Sequence, residues 1–131
     1  MIVVATVLAA LAALLHVYIF TMESITWTTP RTWKTFGVAS QEAAEMTKPM
    51  AYNQGFYNLF LAIGALLGVV LLWSSEPGST LDAAGRTLVF FSLASMLAAA
   101  IVLITSGRRY LRPAVIQGTL PLLGIIALLA S

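Results

Sequence analysis

The chain contains no cysteine, a single histidine and few charges, with seven basic and five acidic residues in 131 positions. Without cysteine there is no disulfide, no thiolate metal site and no thiol nucleophile. One histidine and scattered carboxylates lack ligand spacing, so neither a metal nor a cofactor is expected. Nucleophile-elbow, P-loop and dinucleotide-binding motifs are absent as well. Charged residues make up only 9% of the chain, against about a quarter in a soluble domain. The net charge of +2 does not argue for nucleic acid, because the basic residues sit between apolar stretches, where they act as topology signals.

What is present is apolar. Hydrophobic residues account for 60% of the chain, and its mean hydropathy is +0.92. A short chain of this kind has the bilayer as its natural solvent. A spanning helix needs about 20 mostly apolar residues, and four stretches qualify, at about 2–25, 50–73, 86–106 and 111–130. The expectation is one transmembrane domain over 1–131, an all-α integral membrane four-helix bundle. The first stretch lacks a basic leader, is long for a signal sequence and carries His16 and Glu23, so it reads as a retained helix. Ser74 to Ser79 is a turn signal, Gly107-Arg108-Arg109 is the sole break before the last span, and Pro121 predicts a kink there.

Loop charge sets the expected orientation. The first and third loops carry Arg31, Lys34, Lys48, Arg108, Arg109 and Arg112, and the opposite side has only Arg86. Positive charge favours the cytoplasmic side, which puts both termini on the non-cytoplasmic side. The asymmetry also argues against dual-topology insertion. Within the first loop, Thr29-Pro30 opens a short helix that Gly37 closes, and Ser40 caps a second over 41–48. Trp27, Trp33 and Phe36 suit the headgroup level, so both short helices are expected to lie at the interface.

Polar side chains inside spans are costly and usually turn inward. At about 100° per residue, His16 and Glu23 fall within about 20° of each other, on the face of Ala5, Ala9 and Ala12. On the second span Asn53, Gln54, Tyr57 and Asn58 share a face with Leu61, Gly64, Ala65 and Gly68. The third places Ser92, Ser95, Ala99 and Ser106 on one stripe, and the fourth aligns Gln117, Pro121 and Gly124. His16 lies about 20 Å and Glu23 about 30 Å along the first helix. The polar groups therefore gather in the cytoplasmic half, as a pocket open to the cytoplasm.

The same residues carry a resemblance. His16 with Phe20 and Glu23, Trp27-Thr28-Thr29-Pro30, Phe36-Gly37, Gln117-Gly118 and above all Asn53-Gln54-Gly55-x-Tyr57-Asn58, where x is any residue, resemble a family of small four-helix bacterial membrane proteins, catalogued as domain of unknown function 1304. The resemblance spans nearly the whole chain. It implies four spans in a bacterial inner membrane and no particular reaction.

The candidate ligand-binding residues are His16, Glu23, Asn53, Gln54, Tyr57, Asn58 and Gln117. Each has a plainer role beside it. His16 can be a buried packing residue, Glu23 can pair with Lys48 or a third-loop arginine, and amides commonly hold membrane helices together. The favoured function is binding, with transport open, of a small or amphipathic solute. An intramembrane enzyme acting on a lipid-like substrate is the alternative, with His16 and Glu23 as acid and base. A structural subunit of a larger complex is a third. Expected partners are the lipid bilayer and a small-molecule or lipid ligand, with a homo-oligomer allowed and no nucleic acid.

Overall fold

The computed structural model describes residues 1–131, and all its regular elements are helices. Helix α1, Ile2–Phe20, continues without a break into a π-helical segment, Thr21–Ile25. A short α2, Pro30–Thr35, precedes a long α3, Gln41–Ser74. Helix α4, Thr80–Thr105, is joined through the 3-10 turn Arg108–Tyr110 to α5, Leu111–Leu129. Four stretches are long and apolar enough to cross a membrane: Ile2–Ile25, Gln41–Ser74, Thr80–Thr105 and Arg108–Leu129. The protein is an all-α, multi-pass membrane helical bundle.

Local chemistry sets the helix ends. Ser79 caps α4, its Oγ accepting the Asp82 N–H at 3.1 Å, and Gly78 supplies the left-handed φ of +79° just before it. That cap starts α4 at Thr80, earlier than the expected Arg86. Thr29 and Pro30 open α2 as the sequence suggests, and Gly37, at φ +70°, closes it. The Thr29 hydroxyl does not cap, however. It donates instead to the Thr26 carbonyl at 2.8 Å.

The second short helix does not stand alone, which corrects the expectation for 41–48. Ser40 does accept the Ala43 N–H at 3.1 Å, but the helix it starts runs through Pro49 to Ser74. Proline removes one backbone bond, to the carbonyl of Glu45, but Glu45 and Pro49 are both exposed, so that carbonyl is not shut inside the protein. At 34 residues α3 is about 51 Å long, well beyond a hydrocarbon core of about 30 Å.

The chain forms two compact units, Met1–Leu15 with Leu61–Ser131, and His16–Phe60. In the first, parts of four helices pack through small residues. Ala5 and Ala9 of α1 are fully buried, while Val4, Val7, Leu11 and Leu14 face outward. Gly68 of α3 meets α4 backbone to backbone. A Cβ added there would lie 2.8 Å from the Val89 nitrogen and 2.9 Å from the Gly85 oxygen. Gly124 of α5 admits Leu93, and Gly118 faces Ala100. Val89, Leu93 and Met96 fill the space between.

The buried face of α4 is therefore Gly85, Val89, Ser92, Leu93, Met96 and Ala100. This differs from the expected stripe. Ser92 is buried, but Ala99 and Ser106 are exposed. In lipid the helix turns its closest-approach residues inward, and hydroxyls that bond their own backbone can face out. The Ser106 hydroxyl does so, donating to the Val102 carbonyl at 3.3 Å.

Candidate functional site

The second unit, His16–Phe60, holds most of the polar residues that the sequence places at membrane level. Its centre is the π-helical segment. The Thr21 hydroxyl donates back to the Tyr18 carbonyl at 2.7 Å, and the Thr26 N–H reaches the Thr21 carbonyl, five residues back, at 3.0 Å. Such back-bonding competes with the regular ladder, and the turn accommodates one extra residue. Ser24 then leaves its own helix for a neighbour, donating from Oγ to the Tyr52 carbonyl at 2.8 Å.

Gly55 makes that approach feasible. A Cβ at Gly55 would fall directly on Ser24 Oγ and 3.1 Å from the Cβ atoms of Glu23 and Ser24. The seam has two unlike flanks. On one, Phe20 meets Phe56 edge-on at 5.2 Å, and Tyr52 and Phe60 lie tilted against Phe56 at 4.9 and 6.1 Å. On the other, Asn58 Nδ2 donates to Glu23 Oε2 at 2.8 Å and to the Gln54 carbonyl at 3.2 Å. Gln54 and Asn58, four residues apart, lie within about 40° around α3.

The Glu23 carboxylate is half-buried and forms no ion pair, Arg86–Asp82 at 3.1 Å being the chain's sole salt bridge. The expected alternative partner, Lys48, is exposed and forms no salt bridge. No three side chains of His, Cys, Asp and Glu type converge.

The candidates from the sequence do not form one cluster. Glu23 and Asn58 are brought into contact. His16 is fully buried, in line with the buried Ala9 and Ala12. Asn53, Gln54 and Tyr57 are exposed, Tyr57 by 57%, so they do not share the packed face of Ala65 and Gly68. Gln117 is half-exposed and belongs to the other unit, beside Gly118.

Residues that hydropathy and polarity do not single out also shape this unit. Ser24 and Gly55 fix the seam. A cleft of about 330 Å³ lies against the π-helical segment and α2, lined by Tyr18, Thr21, Met22, Thr26, Arg31 and Thr32 among others. Thr26, Thr29 and Thr32 link their hydroxyls there at 2.9 and 3.0 Å. The recurrence of threonine at 21, 26, 29, 32 and 35 is the signal that could have found it. Trp27 ties this region to α3, its indole N–H donating to the Ala44 carbonyl at 3.0 Å.

The model of a family described as "Protein of unknown function (DUF1304)" matches residues 10–129. The chain belongs to that family. No curated protein and no solved structure matches it. Within this DUF1304 protein the run Asn53 to Asn58 acquires a structural meaning: Gly55 admits the neighbouring helix, Phe56 seals one flank, and Asn58 holds the carboxylate on the other.

Proposed function

We propose that this DUF1304 protein binds a small or amphipathic solute at the Glu23 flank of the seam and has the means to carry it across the membrane. The observation behind the reading is the 2.8 Å bond from Asn58 to Glu23. An ionisable side chain inside an apolar span is costly and by default marks a functional site, and Asn58 holds this one through a single uncharged donor. A π-helical turn at that position fits the pattern, since such turns gather at functional sites. Gln54 and Tyr57, both exposed on α3, offer further polar contacts, and Asn53 is exposed one turn before Tyr57. His16, on the turn before Phe20, is the proposed adjunct for proton handling.

The protein sits in this reading in the cell membrane of a bacterium, with the first and third loops cytoplasmic and both termini outside. Six basic residues in or beside those loops, Lys48 on α3 and Arg112 on α5 among them, against Arg86 alone support the orientation. Native mass spectrometry of the purified protein tests binding. A defined small molecule or lipid should travel with the wild-type chain and be lost from Glu23→Gln and Asn58→Ala. Retention of the same species by both variants would remove the site. Flux into liposomes then tests carriage.

A further inference from the structure

We infer that the Glu23 flank takes an organic cation: a primary or quaternary ammonium on an apolar body. The inference rests on the binding role proposed above and adds the chemical class. Asn58 occupies Oε2 with a single donor and leaves Oε1 to an incoming group. Asn58 and its neighbours Gln54 and Tyr57 are all uncharged, so the carboxylate alone sets the sign of the flank. No basic side chain of the protein answers it within ion-pair distance. Lys48, on the same helix as Asn58, is ten residues earlier, about 15 Å along the axis. Arg31 and Lys34 of α2 form no ion pair either.

The surrounding field does not oppose a cation. The unit His16–Phe60 carries Glu23, Glu42 and Glu45 against Arg31, Lys34 and Lys48, which cancel with His16 neutral. An anion would meet the carboxylate at close range in a poorly solvated place, and a neutral solute would leave its charge uncompensated. The apolar body follows from position. Glu23 ends a span whose other residues carry no formal charge apart from what His16 can acquire, so the bound molecule must share the hydrocarbon with Phe20, Met22 and Phe56.

The test uses the full chain in nanodiscs of phosphatidylcholine, which has no net charge. Four probes share one six-carbon chain: hexyltrimethylammonium, hexylamine, hexanol and hexanoate. Thermal midpoint against concentration is read for wild type, Glu23→Gln and Glu23→Asp. Both ammonium probes should raise the midpoint of wild type, with hexanol and hexanoate inert. Glu23→Gln should weaken the response by at least about tenfold. Glu23→Asp keeps the charge on a shorter arm and should retain the preference for cations with weaker binding. It also carries the test if the glutamine variant does not fold. A Glu23-dependent response to hexanol or hexanoate equal to that of the ammonium probes overturns the cation and leaves the site. A cation response unchanged in both variants, or no response to any probe, overturns the inference. In the second case the proposed binding site falls with it only if native mass spectrometry also finds nothing bound in a Glu23-dependent way.

Discussion

Replacing Gly55 by alanine drives one methyl group into the seam that presents Glu23. The new Cβ would coincide with Ser24 Oγ and lie 3.1 Å from two further side-chain carbons. Ser24 has to rotate away and give up its bond to the Tyr52 carbonyl. Overpacking of this kind costs about 1–3 kcal/mol, and a lost interhelical bond in a membrane adds about 0.6 kcal/mol. Alanine returns about 1 kcal/mol of helix propensity. The net loss is then about 0.6–2.6 kcal/mol by these terms. Ser24→Ala alone removes the bond and should cost only about 0.6 kcal/mol. With Ser24 already alanine, the main obstacle to the Gly55 methyl has gone, so Gly55→Ala should cost at least about 1 kcal/mol less there than in wild type. Reversible unfolding in mixed micelles, followed as a double-mutant cycle, measures the difference. A Gly55→Ala cost that is zero, or identical in the two backgrounds, refutes the close approach of Ser24.

Four further outcomes are expected. Asn58→Ala should destabilise the protein by about 0.6 kcal/mol if its bond to Glu23 is ordinary, and by up to about 3 kcal/mol if the acceptor is ionised; the same unfolding assay distinguishes them, and no loss at all would deny the bond. Gly68→Ala should cost about 3 kcal/mol or more without rescue by Val89→Ala, because the atoms it meets include the Val89 nitrogen and Gly85 oxygen of the main chain. Trp27→Phe removes the indole donor to Ala44 and should lose about 1 kcal/mol, seen as faster hydrogen exchange across α2, with unchanged exchange counting against it. Cysteines at Ala39 and Glu76, both exposed and close to residues that cap helices, should label from opposite sides of the membrane with an impermeant reagent, Glu76→Cys from outside the cell. Equal labelling in intact cells rejects the orientation.

Some of this is readable from residue order and some is not, for identifiable reasons. The four spans announce themselves because apolar runs near 20 residues have few other uses. The alanine face of α1, ending at His16, is equally plain, since Ala5, Ala9 and Ala12 follow a regular α-helical period and the structure buries all three. That period fails one turn later. Extending 100° steps from His16 to Glu23 assumes an unbroken α-helix, whereas Thr21–Ile25 is wound more widely. The winding comes with a hydroxyl bond, Thr21 to the Tyr18 carbonyl, that no hydropathy pattern records. Asn53, Gln54 and Tyr57 group with the small residues of α3 on the rule that amides in spans tend to face inward. The structure gives the inward place to Gly55 and leaves those three side chains exposed. Pro49 suggests a boundary that the exposed turn around it does not need.

The contact between Gly68 and Gly85 limits where a solute can travel. Main-chain atoms of α3 and α4 leave no room there for even one added carbon, so neither an acyl chain nor a file of water molecules can thread between the two helices at that level. A route through the membrane that used this line would first have to pry apart backbones locked over several residues, Val89 and Leu72 included. Any gap wide enough for a solute in this unit has to lie off the α3–α4 line, along another face of either helix.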